Sequence, residues 1–536
     1  MIKNLAFCAL VTVFAWNGAA AMQASKSALG TSAAVDPQGK LWIAYAEGDP
    51  AKATVYVSRA KAPGTWETPI AVNATPEPVS ADGENRPKLA FDKQGGMYVT
   101  WTSPTSANYT GDIRFTRSQD GGKTWLKPTV VHRDRQLITH RFESMIVDPK
   151  GTIWIAWIDK RDLQSAQASK RDYAGAAVYY AYSTDRGATW QGDFKLADHT
   201  CECCRIALSL DGDGRVGALW RHVFEPSERD HAFALLTPNG PPRITRATYD
   251  RWNVDACPHH GPGLAFGRDG TRHAVWFNQV EGAGRVYYGQ LTAGKPARVK
   301  QLPDGATHAD VATIDDTVAI AWKRFDGEAT RVESWISSDG GVTFAAGPTL
   351  TTAGDSDSPH LVNANGDILV VWRRAEGVAA QSLLGARAAK PTSAPARKPA
   401  SSGATAAIQP FNRDTLKRIE SEQHGKPFWV VMWDLECPYC MKSLSTIAEV
   451  QRRHPDLKVI TITTDPIGQA QAVKQRLAEL GVTSDAYAFA DGTAEALRYA
   501  IDPTWMGEKP RAYHYDASGK RTARTGVLTA EELVNH

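Results

Sequence analysis

Cysteine is scarce in this chain, 7 in 536 residues, which is too few for a disulfide scaffold. Long apolar runs are missing as well. The one stretch of note, residues 5–16, falls short of the roughly 20 residues that a membrane-spanning helix needs, so a polytopic membrane protein is excluded. No sustained heptad or Gly-X-Y pattern points to a coiled coil or to collagen. Net charge is slight and local. Lys3 together with Arg387, Lys390, Arg397 and Lys398 supplies five positive charges, so the formal +3 less those five leaves −2. That balance gives no general attraction to nucleic acid or lipid. What is abundant is apolar and aromatic side chain, 42% hydrophobic with 17 Trp. This rules out a disordered chain, and the length calls for two or more packed domains.

Residues 1–21 read as a signal peptide. Lys3 precedes the apolar run, and Gly18, Ala19, Ala20 and Ala21 form the small-residue pattern accepted at cleavage. The expectation is a periplasmic or secreted protein with no stable membrane insertion after cleavage. Cys8 leaves with the leader, and Cys201, Cys203, Cys204, Cys257, Cys437 and Cys440 remain.

From residue 22 to 385 one phrase recurs: a short apolar strand, an Asp-containing turn, and a second apolar strand ending in an aromatic. Asp36, Asp92, Asp148, Asp211, Gly267 and Asn363 are each followed nine residues later by Tyr45, Trp101, Trp157, Trp220, Trp276 and Trp372, and Asp315 with Trp322 is a copy with a shorter turn. Repeats of about 50–60 residues built from alternating strands predict an all-β propeller. Seven copies predict seven blades, or six if the incomplete first and last copies merge.

A second phrase, S-x-D-x-G-x-T-aromatic, occurs at 118–125, 183–190 and 337–344. Ser and Asp can bond the loop's own backbone, Gly takes the conformation other residues resist, and the aromatic pins the turn to the blade. These matches resemble the Asp-box of the sialidase-like (BNR) propellers. In that family the box is a structural turn, so the resemblance implies fold rather than chemistry.

Function is therefore sought on the opposite face, where the connections between blades open. Seven residues before each repeat Asp or its equivalent stand Leu29, Asn85, Arg141, Cys204, His260, His308 and Ser356. Most of these are polar, sulfur-bearing or ionisable at a position that opens an innermost strand, which predicts a ring converging on the channel mouth. Chemistry concentrates at Cys201-Glu202-Cys203-Cys204-Arg205 and Cys257-Pro258-His259-His260. Thiolates and imidazoles are ligands for Cu(I) and Zn(II), which makes Cys201, Cys203, Cys204, Cys257, His259 and His260 candidate ligands, with His308 and His360 as further ones. Two disulfides, or a catalytic or redox-sensing thiol cluster, are the alternatives. In an extended segment Cys201 and Cys203 point one way and Cys204 the other, so all three need not act together. Arg86, Arg141, Arg205 and Arg221 on the same face are candidate anion or substrate contacts, since arginine forks grip carboxylates. A sialidase would also need carboxyl groups. Asp162 and Asp230 are available, but Arg161-Asp162 and Arg229-Asp230 read equally well as ion pairs, and Asn85-Arg86-Pro87 is only a partial echo of the sialidase signature.

Residues 386–406 hold no acidic and no large apolar residue and are expected to be a flexible linker. Such a tether reaches roughly 25 Å, so the tail can visit the propeller without being fixed to it. In 407–536 apolar strands alternate with helical stretches, and residues 428–433 run directly into Cys437-Pro438-Tyr439-Cys440. This strand, C-x-x-C, helix pattern resembles periplasmic thioredoxin-like proteins. The resemblance implies that Cys437 is the nucleophile, that Cys440 resolves the mixed disulfide, and that Pro510 is a cis-proline set against them. Glu436, beside Cys437, is expected to raise its pKa.

The expected protein is thus multidomain, an all-β propeller followed by an α/β thioredoxin-like domain. Its expected function is periplasmic thiol-disulfide redox chemistry, acting on a client protein or on the propeller's own cysteines. No nucleic-acid partner is expected, and no cofactor is certain beyond the Cu(I) or Zn(II) that the cluster suits. In the alternatives, the propeller is a client- or glycan-binding module, or an exo-sialidase-type hydrolase.

Overall fold

The structure is a computed structural model that describes residues 29–385 and 408–535, apart from 82, 107, 108, 239 and 281. The leader at 1–21 and the linker at 386–406 lie outside the described residues. The fold is mostly β, with 46% strand and 12% helix.

Residues 29–385 form consecutive antiparallel meanders, a propeller-like arrangement. Each repeat Asp makes the turn that closes a hairpin. Asp36 Oδ1 accepts the backbone N–H groups of Gln38 and Lys40 at 3.0 and 2.8 Å, and Val35 then pairs with Leu41. In the second phrase Ser118 Oγ accepts the Gly122 N–H at 2.9 Å and donates to Asp120 at 2.8 Å. The repeat aromatics Trp101, Trp157, Trp220, Trp276, Trp322 and Trp372 are all buried, so each meander's aromatic is an anchor of its core.

Thr31–Val35, Lys88–Phe91, His140–Val147, Ala207–Leu210, Gly263–Phe266, Thr307–Ile314 and His360–Ala364 open the successive meanders, and neighbours in this series touch. The last returns to the first. The Thr31 N–H donates to Asp357 at 2.8 Å and Trp66 Nε1 donates to the Val378 carbonyl at 3.0 Å, so the round is closed by the first and last meanders of the β unit. Two meanders share an eight-stranded sheet through the single pair Thr200 and His222.

Residues 409–534 form a mixed six-stranded sheet in the order Gln409–Phe411, Asp485–Phe489, Val459–Pro466, Phe428–Trp433, Arg511–Tyr515, Arg521–Thr525. The first four run parallel, and the pairings of Arg511–Tyr515 with Phe428–Trp433 and with Arg521–Thr525 are antiparallel. Phe428–Trp433 is buried along its whole length, as an apolar central strand should be.

The expectation of a tail held only by its linker is corrected. The C-terminal unit is seated on the mouth face of the β unit. Met506 packs into a β-unit core cluster, Phe325 meets Tyr499 edge-on at 5.4 Å, and Lys323 pairs with Glu495. Complementary charges and apolar contacts hold what chain length alone would leave free.

Candidate functional site

The interface contains both sulfur sites. Phe428–Trp433 delivers the chain to Cys437, the N-cap of the helix Pro438–Arg453, and the Cys437 side chain accepts the Cys440 N–H at 3.1 Å. Cys437 and Cys440 form a disulfide, and both are 0% exposed. Glu436, beside them, is met by Arg141 of the β unit at 3.1 Å, so its charge does not act on the pair uncompensated. The Lys509–Pro510 peptide is cis, and Lys509 pairs with the buried Asp434.

Across the interface, the segment after Thr200 hangs from the strand Val216–Phe224, with the Cys201 N–H bonded to the Arg221 carbonyl at 3.0 Å. The chain then bends, and the expectation that an extended segment divides Cys204 from the other two is corrected. Sγ of Cys201 lies 2.7 Å from Cys204 and 3.8 Å from Cys203. Cys203 in turn gathers with Cys257 and His259, their ligand atoms lying within 4.8 Å of one another. The four cysteines are free thiols and all are buried. Burial pushes the Cys201 thiol up, but hydrogen bonds with Cys203 and Cys204 and the charges of Arg229 and Arg221 hold it well below its usual value. Cys203 and Cys204 are raised, first by burial and then by sharing protons with Cys201.

His260 belongs to neither sulfur group. It stacks on Phe277 at 4.1 Å, lies 4.3 Å from the His308 ring, and its Nε2 donates to the Met506 carbonyl at 3.0 Å. Burial lowers the pKa of both imidazoles well below the usual value, so both are neutral. His360 pairs with Asp310 at 3.2 Å.

Asn85, Arg141, His260, His308 and Ser356 of the ring line one cavity of about 260 Å³, lined on its other side by the C-terminal unit. Non-glycine residues in left-handed conformations punctuate this rim: Phe142 at φ 58°, His259 at 57° and His308 at 49°. The strands at Arg141 and at Thr307 are bulged there, which aims ring side chains at the mouth.

The four candidate anion-binding arginines have in-chain partners. Arg86 forks onto Asp357 at 3.1 Å, Arg205 meets Glu84 at 3.2 Å and Arg141 meets Glu436. Arg221 donates to the carbonyls of Phe277, Arg229 and His260. The adjacent ion pairs read at Arg161-Asp162 and Arg229-Asp230 do not form. Arg161 holds Asp159 and Asp193, Asp162 accepts from Tyr179 and Lys195, and Asp230 is held by Arg246. Arg229 and Asp230 are neighbours on the strand Glu228–Leu235 and face opposite sides, whereas Arg161 and Asp162 open the helix Arg161–Ala168, where adjacent side chains do not face each other.

Glu84, Tyr439 and Lys509 were not singled out from sequence as site residues. Tyr439, inside the C-x-x-C, had the clearest signal: its hydroxyl accepts from Arg229 Nη2 at 2.7 Å. Lys509 exchanges two backbone hydrogen bonds with Cys257, at 2.7 and 3.1 Å, and no local pattern announces that.

No family model matches the chain, and no curated protein matches it. Among solved structures, a polysaccharide lyase, an ulvan lyase, is 11% identical, covering 67% of this chain and 95% of its own with a TM-score of 0.44. The NanB sialidase of Streptococcus pneumoniae is 10% identical over 64% of this chain and 82% of its own, with a TM-score of 0.37. A secreted Mycobacterium tuberculosis disulfide oxidoreductase homologous to E. coli DsbE is 19% identical over 22% of this chain and 82% of its own, with a TM-score of 0.18. All three likenesses have TM-scores below 0.5 and carry no chemistry over to this chain.

Proposed function

We propose that this protein carries out thiol-disulfide exchange between a thioredoxin-like C-terminal domain and the cysteines of its own seven-bladed propeller, in the periplasm or outside the cell. The observation that carries the reading is the two-sided backbone bridge between Cys257 and Lys509, the residue before Pro510. The backbone at Cys257 is held there in the same core cluster as the buried Cys437–Cys440 pair.

The chemistry balances within the chain. A thiolate of the Cys203 and Cys257 pair attacks Sγ of Cys437, the Cys437–Cys440 bond breaks, and Cys440 leaves as a thiolate that takes up a proton. The second propeller thiol, giving up its proton, attacks the propeller sulfur of the mixed disulfide and expels Cys437. Two electrons pass from the propeller to the C-x-x-C, and the reverse uses the same steps. The helix Pro438–Arg453 favours the departing Cys437 thiolate through the positive end of its dipole, and Arg141 offsets Glu436.

Replacing Cys440 with Ser removes the resolving thiol. Non-reducing peptide mapping of that variant should find Cys437 joined to Cys257 or Cys203. A free Cys437, or one joined only to foreign proteins, would overturn the in-chain reading.

A second reading, the propeller as a glycan-binding module, draws on the cavity. Among the described residues Asn85 Oδ1, His260 Nδ1, His308 Nδ1 and Ser356 Oγ are buried without hydrogen-bond partners, a set suited to hydroxyl donors. Calorimetric titration of the full chain with neutral and sialylated sugars tests it, and no heat with either removes it. Its hydrolase version has less support, because the Arg86, Arg205 and Arg221 guanidiniums are already engaged.

A further inference from the structure

Arg221 and Arg229 raise a charge question that exchange chemistry leaves open. Their side chains are 0% and 1% exposed, and among the described residues neither meets a carboxylate. Arg221 donates only to backbone carbonyls. Arg229 donates to the Val254 carbonyl at 2.5 Å and to the Tyr439 hydroxyl. Among the described residues Arg221 Nε and Arg229 Nη1 have no hydrogen-bond partner. A buried cation without a counter-charge is strongly destabilising, so two such cations side by side call for negative charge in the same place. The sulfur cluster is what adjoins them: both guanidiniums act on Cys201, and Arg229 also acts on Cys257.

We propose that the reduced propeller binds one Cu(I) ion through Cys201, Cys203 and Cys204, with Arg221 and Arg229 balancing the charge of the three-thiolate site. The three sulfurs lie within 4.8 Å of one another. The 3.8 Å between Cys201 and Cys203 is about the separation that metal–sulfur bonds of about 2.3 Å impose. Cys204, at 2.7 Å from Cys201, parts from it by about 1 Å on loading to reach the same spacing.

Charge then selects the ion. A monovalent ion on three thiolates leaves two negative charges for two guanidiniums, whereas a divalent ion leaves one and strands an arginine. Four thiolates would suit zinc equally, but the Cys257 sulfur groups with Cys203 and His259 rather than with Cys201 and Cys204, so no four-sulfur cage is available. Soft thiolates in a buried, water-poor site favour Cu(I) on chemical grounds as well. Loading exchanges the thiol protons for the metal without oxidation. Oxidising the same sulfurs to a disulfide removes the ligands. The inference goes beyond the exchange reading and does not depend on it.

The test uses the full chain, reduced and kept anaerobic, loaded in parallel with Cu(I) and Zn(II), desalted, and challenged with a Cu(I) chelator. One copper per chain with a shell of three sulfurs in X-ray absorption is the expected result. Retention should be lost in Cys201→Ser and Cys204→Ser, whose thiolates are ligands. Arg221→Gln and Arg229→Gln should weaken copper by about 10–100-fold as outer-shell changes do and raise zinc retention relative to copper. Equal retention of zinc by the wild type, a copper shell with fewer than three sulfurs, or copper binding untouched by the Cys201 and Cys204 substitutions each overturns the proposal. The wild-type spectrum keeps the test decisive if a variant fails to fold. A chain carrying both Cys437→Ser and Cys440→Ser cannot exchange and should load copper like the wild type. Loss of copper there overturns the independence of the two activities, and failure of the exchange reading leaves this readout unchanged.

Discussion

The C-terminal sulfur site needs only one strand end and one helix start: Cys437 caps the helix Pro438–Arg453, and Cys440 follows within its first turn. The propeller's sulfur site is assembled from two separate segments, Cys201 to Cys204 and Cys257, with Arg221 and Arg229 on the paired strands Val216–Phe224 and Glu228–Leu235. The first is a local motif that any correctly formed strand and helix would present. The second exists only while several long-range contacts hold at once. The pair could be grafted onto another scaffold, whereas the cluster belongs to this closed ring.

The sharpest way to break that contrast is to loosen the ring under the cluster. Trp220 is fully buried next to Arg221, and Trp220→Ala should cost about 3–5 kcal/mol. Denaturant unfolding reads the loss. A thiol reagent should then label the four propeller cysteines in the native state while Cys437–Cys440 stays oxidised. Continued protection of the four would mean that the cluster is as local as the pair.

Next in size is the contact that joins the two sites. Lys323 and Glu495 pair across the interface, both largely buried. Removing one charge by Lys323→Met should weaken docking by about 2–3 kcal/mol. Small-angle scattering should report a longer particle, and the Cys437–Cys440 disulfide should become reducible by small thiols. Unchanged dimensions would show that the apolar contacts around Met506 and Tyr499 suffice.

The same pair predicts a pH dependence. Burial pushes the Glu495 carboxyl up, but the Lys323 charge and hydrogen bond, with Arg498 behind them, bring it below its usual value. Since the folded value lies below the unfolded one of about 4.3, the contribution is present above that pH and is lost as pH falls through the lower folded value. Docking followed from pH 6 downward should weaken only on the acid side, and Glu495→Gln should flatten that part of the profile. Weakening toward alkaline pH would contradict the assignment.

The smallest effect belongs to the opposite face. Ser118→Ala removes the bond from the Gly122 N–H and the one to Asp120, costing about 1 kcal/mol. Thermal unfolding should shift slightly, with thiol labelling unchanged. A change at the thiols would tie the two faces together.

Much of this organisation is legible along the chain. The nine-residue spacing from Asp36 to Tyr45 and from Asp148 to Trp157 reports a hairpin closed by a side-chain-capped turn, and both turn and strand are local. The ring position seven residues before each turn is legible for the same reason, and five of its members meet at one cavity. Local pattern fails where the chain leaves regular structure. The bend after Cys201 unites sulfurs that strand alternation would separate, and the left-handed His259 precedes a His260 that lines the cavity outside both sulfur groups.

The sequence alone determines the repeat, its turns and buried aromatics, the C-x-x-C at a helix start, and the inventory of thiols, because each depends on residues within a turn or a strand of one another. Only the tertiary structure decides that Cys257 pairs with Lys509, that Arg141 meets Glu436, and that Arg221 and Arg229 are buried beside thiols rather than carboxylates. These contacts join residues far apart in the chain. Burial removes water as a competing partner, so which charge meets which is fixed by the packing of the two units and not by spacing along the chain.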